Sequence, residues 1–379
     1  MKRIYVATKA RGFLLTLFKT EHENLVFQYK ENQLYETNSK AKHIIAKLVK
    51  SKLADHLGLI QRLKVSDTDS TNVFSYNRFL KSDKDYVVCL ENPFALVHYS
   101  INRNSTLLSK MKLKKYFQDK HLKAVVCLSK ACLNTLDNVY EIPSSVKTTQ
   151  IYPLIEKNPL TSLENIQSKS HSRDIQCLYI SSKFTLKGGK DILECFKRLQ
   201  QQGINNIKLV IITQLNSIDE KTHREITENK NIQAYDFKFS KDELNEFYNA
   251  SSIMLNPSRQ DSFSLVVLEA MKSGNAILTS DLYALSEMVE HDFNGYLVGP
   301  KFRFFNYDNM PNVAVWNHRS ETIYSDYIDA NMVEFLFKKL TYLNSNREEL
   351  ERLALNSYNK AVTGEFSEEY IKKKWSTIF

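Results

Sequence analysis

The feature that most constrains the fold is a regular alternation of short apolar runs and amphipathic segments between residues 176 and 279. The predicted strands are Gln176–Ile180, Lys208–Ile212, Ile232–Tyr235, Ile253–Asn256 and Ala276–Thr279. The helices predicted between them are Gly189–Gln201, Ile218–Glu228, Lys241–Ala250 and Ser264–Lys272. This alternation is typical of an α/β protein with a doubly wound parallel sheet. Such sheets bind ligands at the carboxyl ends of their strands, so functional residues are expected in the loops that follow.

The chain is long enough for two such domains, since 379 residues exceed the usual size of one. Apolar runs at Ile4–Ala7, Tyr86–Leu90 and Ala124–Leu128 predict strands of another sheet. We predict two Rossmann-like domains, one over residues 1–155 and one over 174–365. A C-terminal helix of about 366–379 is expected to return to the first. The polar segment 153–173 is predicted as a linker, and 301–327 as an irregular insertion.

Composition excludes several classes of protein. Apolar residues make up 42% of the chain and charged residues 25%, which is typical of globular proteins. No apolar stretch is long enough for a membrane helix or a secretion signal. The five cysteines form no Cys-x-x-Cys pair or disulfide framework, which favours a reducing compartment and predicts a cytoplasmic protein.

Positive charge is concentrated in the first part of the chain. Residues 1–150 contain 25 Lys and Arg against 13 Asp and Glu, whereas the remainder is slightly acidic. The segments 39–64 and 107–123 read as helices in which lysines alternate with apolar residues. Such helices either lie on an anionic membrane surface or pack as ordinary surface helices on a sheet. Nucleic acid is not an expected partner, because no recognised binding motif accompanies the charge.

One loop and helix carry the strongest functional signal, over Pro257-Ser258-Arg259-Gln260-Asp261-Ser262-Phe263-Ser264 and the residues to Gly274. The loop follows a predicted strand, and a helix starts near Ser264. Amide groups at a helix start bind phosphate well. Asp261 and Glu269 are separated by about two helical turns, so they can bind hydroxyl groups at the two ends of a sugar nucleotide.

A second element follows the strand Gln176–Ile180. It reads Ser181-Ser182-Lys183-Phe184-Thr185-Leu186-Lys187-Gly188-Gly189. The glycines permit close backbone approach, and Lys187 can place a cation beside a diphosphate. The spacing differs from that of a Walker P-loop.

Together these residues resemble the nucleotide-binding domain of retaining GT-B glycosyltransferases of family four, the group 1 type. The matching elements are Lys187-Gly188-Gly189, Pro257-Ser258, Asp261-Ser262-Phe263, Glu269-Ala270-Met271 and Asn294-Gly295-Tyr296. The resemblance covers residues 175–300 and is faint over 1–150. It implies a GT-B fold, in which two Rossmann-like domains face each other across a cleft.

The resemblance also implies roles for individual residues. Glu269 would bind the ribose, Asp261 the donor sugar and Lys187 the diphosphate. The remaining donor-binding candidates are Ser182, Lys183, Tyr235, Phe237, Phe263, Ser264, Leu265 and Gly12. His98 would lie near the donor sugar and joins the catalytic candidates, although an ordinary structural histidine is the competing interpretation. Ser182 occupies the position where the family usually has arginine, so Lys183 is expected to supply the second cation.

We therefore predict a retaining transferase that moves a hexose or N-acetylhexosamine from a UDP-linked sugar to a saccharide acceptor. The acceptor is expected to be lipid-linked, at the inner face of the plasma membrane, in cell-surface polysaccharide or glycoconjugate synthesis. No metal or other cofactor is expected, and Asp67-Thr68-Asp69 is not taken as a metal motif because it lacks a flanking apolar strand. The alternative is a non-catalytic GT-B module that binds glycan or stabilises a partner.

Overall fold

A computed structural model of the protein describes residues 1–9, 11–29, 51–65 and 69–379. The chain divides into two units. The first contains Met1–Ile155, Asp308–Met310 and Glu365–Phe379, and the second contains Glu156–Tyr307 and Pro311–Gly364. Each unit has its own parallel sheet and its own hydrophobic core.

The first unit is built on a parallel sheet. Its strands are β1 (Lys2–Val6), β2 (Leu25–Gln28), β3 (Arg62–Lys64), β4 (Asn72–Tyr76), β5 (Phe79–Lys81), β6 (Asp85–Leu90), β7 (Leu122–Cys127) and β8 (Lys147–Gln150). Six of them pair in the order β2-β1-β4-β6-β7-β8, and β3 pairs with β5. Its helices up to residue 139 are α1 (Leu14–Lys19), α2 (Lys52–His56), α3 (Ile101–Ser105), α4 (Leu107–Phe117) and α5 (Lys130–Val139).

Both lysine-rich segments depart from their predicted helices. Residues 39–50 and most of Asp67-Thr68-Asp69 lie outside the described residues. In the described part of 39–64, the helix α2 ends at His56, because Gly58 turns the chain with a φ of +56°. Arg62–Lys64 is the strand β3. The second segment is helical only to Phe117, since Leu122 already pairs with Tyr86 in the sheet.

The second unit has a six-stranded parallel sheet. Its strands are β9 (Ile175–Ser181), β10 (Ile207–Thr213), β11 (Ile232–Asp236), β12 (Ile253–Asn256), β13 (Ala276–Ser280) and β14 (Gly295–Val298), in the order β11-β10-β9-β12-β13-β14. Central strands such as β9 and β12 are buried along most of their length, which is why they read as continuous apolar runs.

Helices cover this sheet and end in the C-terminal segment. They are α6 (Leu163–Ser170), α7 (Gly189–Gln201), α8 (Glu220–Glu228), α9 (Lys241–Ala250), α10 (Leu265–Lys272), α11 (Leu285–Met288), α12 (Val313–Asn317), α13 (Ala330–Ser345) and α14 (Arg347–Val362). The last helix, α15 (Glu368–Ser376), belongs to the first unit, where Trp375 packs on Phe74 with ring centroids 5.7 Å apart.

Two segments without clear periodicity contain helices. The predicted linker 153–173 includes α6, which buries Ile166 against Ala354 and Tyr358. The predicted irregular segment 301–327 includes α12, whose Trp316 stacks on Phe304 at 4.3 Å. In each case tertiary contacts of a few buried residues stabilise a short helix. These residues are too few to produce a recognisable helical periodicity of apolar residues in the sequence.

Candidate functional site

Two loops at the carboxyl edge of the second sheet lie side by side. One follows β9 and the other follows β12, which are neighbouring strands. Gly188 has a φ of +73°, and a Cβ atom there would lie 2.2 Å from the Pro257 carbonyl oxygen. The Arg259 amide donates to the Leu186 carbonyl at 3.1 Å. A side chain at position 188 would separate the two loops, so this close contact requires glycine.

Lys187 and Asp261 connect these loops. The Lys187 Nζ donates to Asp261 Oδ2 at 2.7 Å and to the Gln260 carbonyl at 2.7 Å. Both side chains are partly accessible to solvent, at 21% for Lys187 and 12% for Asp261. The sequence assigned one residue to a diphosphate and the other to a sugar. The structure pairs them, so each charge is held in place by the other.

Ser182 and Lys183 begin the first of these loops. Ser182 is half-buried and Lys183 is exposed. The Lys183 amide donates to the Ser181 hydroxyl at 3.0 Å, which turns the chain away from the end of β9. Lys183 is therefore an exposed residue of the same loop that carries Lys187.

Phe263, Ser264 and Leu265 form the entry to α10. Ser264 is the N-cap residue, and its side chain makes no capping hydrogen bond. The first amides of a helix lack partners within the helix, and their partial positive charge suits phosphate. The structure thus places the predicted amide donors at a helix start, with Asp261 in the loop just before it.

Glu269 lies on the second turn of α10 and is half-buried. Its Oε2 accepts a hydrogen bond from the Tyr248 hydroxyl of α9 at 2.7 Å. Burial raises the pKa of Glu269, whereas the Tyr248 hydrogen bond and the nearby Lys241 charge lower it. The net effect is a raised pKa, and the Tyr248 hydroxyl fixes the orientation of the Glu269 carboxyl group.

Tyr235 and Phe237 lie at the end of the edge strand β11. The Tyr235 ring packs against Phe247 at 5.3 Å and Phe239 at 5.7 Å, so its position is fixed by an aromatic cluster. Phe237 is 44% exposed. Of this pair, Phe237 is the ring more accessible for stacking on a base.

Arg259 is a structural residue of this loop that the sequence analysis did not single out. It is 2% exposed, and its Nη2 lies 3.2 Å from Asp191 Oδ2 and 2.6 Å from the Tyr327 carbonyl. Its guanidinium lies over the Tyr327 ring at 3.8 Å. Asp191 also accepts from the Asp329 amide at 2.8 Å, so Arg259 and Asp191 join the loop to α7 and to the segment before α13.

Neither Arg259 nor Tyr248 could be assigned from local spacing. Their partners, Asp191 and Glu269, are 68 and 21 residues away in the sequence. The available signal was a basic residue directly after Pro257-Ser258, in the loop predicted to bind the ligand.

The two first-unit candidates have different surroundings. His98 has a φ of +57°, unusual for a residue with a side chain, and its buried Nε2 has no hydrogen-bond partner. Burial, with the nearby Arg78 and Arg103 charges, lowers the pKa of His98 to about 4, so the ring is neutral at pH 7. Gly12 precedes α1, and open space surrounds the position of its missing Cβ. The other predicted site residues all lie in the second unit.

Glu91 organises a polar cluster at the carboxyl end of β6. It accepts hydrogen bonds from the hydroxyls of Tyr76 and Tyr99, and Arg11 lies 3.2 Å from its Oε1. Burial and the Glu91 charge raise the pKa of both tyrosines, so both remain protonated donors. The cluster places hydroxyl groups and a guanidinium where parallel sheets usually bind ligands.

Three further observations concern the described residues. None of their helices is both long and apolar enough to cross a bilayer. No three of their His, Cys, Asp or Glu side chains are grouped so as to hold a metal ion. All five cysteines are buried and free.

Comparison with known proteins shows similarity to glycosyltransferases over part of the chain. Residues 163–303 match the sequence profile of the family described as glycosyl transferases group 1. An uncharacterized glycosyltransferase of Methanocaldococcus jannaschii, MJ1607, is 28% identical over 109 residues. The capsular polysaccharide biosynthesis glycosyltransferase CapM of Staphylococcus aureus is 28% identical over 115 residues. These alignments cover 28% and 30% of this chain, and only 26% and 29% of the two relatives.

A solved structure extends the similarity of fold to the whole chain. The structure of Anabaena Alr3699/HepE in complex with UDP has a TM-score of 0.62 and 13% identity, and covers 100% of this chain and 99% of its own. This confirms the predicted α/β architecture with two Rossmann-like domains. Residues 163–303 are thus similar to the group 1 glycosyl transferases, and the chain has the GT-B fold.

Proposed function

We propose that this protein is a retaining glycosyltransferase that uses a UDP-linked hexose or N-acetylhexosamine. The observation that carries the proposal is the cluster of Lys187, Asp261 and the start of α10 beside Glu269. The cluster has a cation and helix amides for a diphosphate and carboxylates for hydroxyl groups. The UDP bound to HepE and the group 1 profile support the same donor class.

In the proposed reaction, the bond between the sugar C1 and the diphosphate oxygen breaks while the acceptor oxygen bonds to C1 on the same face. The electron pair of the broken bond leaves with UDP, and the proton of the acceptor hydroxyl passes to the departing diphosphate oxygen. Lys187, Lys183 and the amides of Phe263, Ser264 and Leu265 stabilise the charge that develops on the diphosphate. We propose that these groups make a metal unnecessary.

The donor-binding residues have separate proposed tasks. Glu269, oriented by Tyr248, binds the ribose hydroxyls. Asp261 accepts hydrogen bonds from hydroxyl groups of the donor sugar, through the oxygen lone pairs that Lys187 does not occupy. Phe237 stacks on the base, and Tyr235 holds the end of β11 in place. Gly12 allows the donor to approach the backbone closely. Ser182 lies next to Lys183 in the loop that binds the donor.

On the acceptor side, we propose that the neutral His98 lies near the sugar and accepts or donates a hydrogen bond through its unpartnered Nε2. The acceptor is proposed to be a saccharide, linked to a lipid at the cytoplasmic face of a membrane. A role in cell-surface polysaccharide synthesis is supported by the similarity to CapM, a capsular polysaccharide biosynthesis glycosyltransferase. The basic charge of residues 1–150 favours an anionic surface there.

A transfer assay with a panel of UDP-, GDP- and ADP-linked sugars tests the proposal. We expect release of UDP from at least one UDP-sugar, and retention of the anomeric configuration in the product. Glu269→Ala is expected to abolish turnover while the variant stays folded. Normal turnover by Glu269→Ala would remove the assigned role.

The alternative function, a non-catalytic GT-B module, rests on Ser182 and Asp261, which replace the usual arginine and glutamate. Calorimetry with UDP, GDP and ADP separates the two functions. Selective UDP binding together with turnover supports the enzyme. If none of the nucleotides bound and no donor were hydrolysed, the module would be the better account.

A further inference from the structure

Exposed apolar side chains of the first unit are concentrated on one face. We define the α2–α4 face by six of them, namely Leu53, Leu57, Leu59, Leu107, Leu108 and Met111, which are 43–74% exposed. In the described residues of this unit, the other large exposed apolar side chains are Met1 and Val26. Single exposed apolar residues are normal on protein surfaces, but a cluster marks an interaction site.

Tertiary contacts bring the two parts of this face together. The Lys112 Nζ of α4 donates to the carbonyls of Leu57 and Gly58, at 3.0 and 2.9 Å. A Cβ atom at Gly58 would lie 2.9 Å from the Ser109 amide nitrogen. The turn after α2 therefore packs directly on the first turn of α4.

A buried ion pair fixes the same region from below. Arg103 of α3 is fully buried and lies 3.0 Å from Asp55 of α2. The Thr106 hydroxyl, at the start of α4, contacts the Asp55 carbonyl at 3.4 Å. The exposed leucines are thus carried by a fixed framework.

The solvent face of α4 is both apolar and basic. The helix buries Ser109, Leu113 and Phe117, which leaves Leu107, Leu108 and Met111 outside. Lys110, Lys112, Lys114 and Lys115 lie on the same helix, and its sequence contains no acidic residue. In α2 the acidic residue is Asp55, which is buried and paired with Arg103. An ordinary amphipathic helix would turn all its apolar residues toward the core, whereas α4 leaves three of them exposed.

We propose that the α2–α4 face docks this protein on an anionic bilayer. The apolar side chains enter the interface between headgroups and acyl chains, and the lysines bind lipid phosphates. A symmetric second copy is a poorer occupant, because the three exposed lysines on each α4 would face three others. The proposal deepens the lipid-linked acceptor of the proposed function and rests on it for its biological meaning.

Flotation of the full chain with vesicles tests this surface. We compare phosphatidylcholine vesicles with vesicles that also contain phosphatidylglycerol. We expect the wild type to float with the anionic vesicles, and high salt to weaken its binding. The variant L107S/L108S/M111S is expected to bind at least about tenfold more weakly. K110Q/K114Q/K115Q is expected to lose about a hundredfold, from about fivefold per lysine.

Matched variants in the second unit serve as controls. L160S/L163S removes exposed leucines, and K197Q/K221Q/K230Q removes exposed lysines. Both should bind vesicles as the wild type does. Equal loss in test and control variants would overturn the proposal, as would equal binding to neutral and anionic vesicles. Light scattering that showed a wild-type dimer converted to monomer by L107S/L108S/M111S would make the face a self-interface instead.

The readouts separate this proposal from the proposed function. UDP binding by calorimetry should be unchanged in the α4 variants, because they leave the donor residues intact. Unchanged thermal unfolding would show that these variants fold. Vesicle binding without UDP binding would contradict the proposed function alone, and UDP turnover without vesicle binding would contradict the docking surface alone.

Discussion

The carboxyl edges of the two sheets have different chemistry. In the second unit, Lys187 pairs with Asp261 in the loop before α10, so the edge combines a cation with a carboxylate at a helix start. In the first unit, Glu91 accepts hydrogen bonds from two tyrosine hydroxyls and pairs with Arg11. The His98 ring there is neutral. We propose that their loops suit one sheet to a charged leaving group and the other to hydrogen bonds with hydroxyl groups.

The loop before α10, which carries Asp261, is held by the buried ion pair of Arg259 and Asp191. Breaking this ion pair has the largest expected effect. Arg259→Met leaves Asp191 buried without its cation, which should lower the free energy of unfolding by about 3–5 kcal/mol. Chemical denaturation measures the loss. The control Lys190→Met removes a cation near exposed Asp219 and Asp326 and should cost less than about 1 kcal/mol. Similar losses for both variants would contradict the structural role of Arg259.

Removing the Lys187 cation from the carboxyl edge of the second sheet directly tests the difference between the two edges. Lys187→Ala should lower kcat/KM about 10²–10³-fold, because the developing diphosphate charge loses its stabilising cation. Steady-state transfer assays measure this effect. Lys197→Ala, which removes an exposed lysine of α7, is the matched control and should retain wild-type rates. A Lys187→Ala enzyme as active as this control would show that the edge does not work by charge.

Tyr248 tests whether Glu269 needs a fixed orientation. Tyr248→Phe removes the hydrogen bond that lowers the pKa of Glu269, so the acidic limb of activity should move to higher pH. UDP affinity should fall about tenfold, typical of losing a hydrogen bond to a charged group. Tyr296→Phe removes a comparable hydrogen bond to Glu349 elsewhere in the unit. That control should change neither the pH profile nor UDP binding, and identical behaviour of the two variants would argue against a positioning role.

The smallest effect concerns His98 in the first unit. Its pKa is about 4 in the folded protein against 6.5 for an unperturbed histidine, so the unfolded state binds the extra proton first. Stability from the neutral ring is therefore complete above pH 6.5 and is lost as the pH falls toward 4. His98→Gln should lose less stability across this range than the wild type, as measured by thermal unfolding. The exposed His223→Gln should behave as the wild type; a flatter response in that control instead would be inconsistent with a buried neutral His98.

The second unit was predictable because its sheet leaves a clear sequence pattern. Buried parallel strands read as apolar runs, and α7 and α9 occur at the predicted bounds Gly189–Gln201 and Lys241–Ala250. Capping explains a small shift elsewhere. The helix predicted from Ile218 begins at Glu220, because Asp219 accepts from the Thr222 amide at 2.8 Å.

The site was predictable in part. Loop positions follow from strand ends, so Lys187, Asp261 and Glu269 could be named from motif and topology. Their partners could not, because Lys187 and Asp261 are 74 residues apart in the sequence and meet only when β9 and β12 pair. The α2–α4 face could not be predicted either, because the spacing of apolar residues in α4 does not show which side of the helix packs on the core. The sequence of α4 has lysines among apolar residues, but only the tertiary packing shows that Leu107 and Leu108 are exposed to solvent.

The most direct test of the account is a crystal structure of this protein with bound UDP. We predict that the diphosphate lies on the amides of Ser264 and Leu265 within reach of Lys187, and that the ribose hydroxyls contact Glu269. UDP bound away from the start of α10, or with its ribose remote from Glu269, would contradict the central claim.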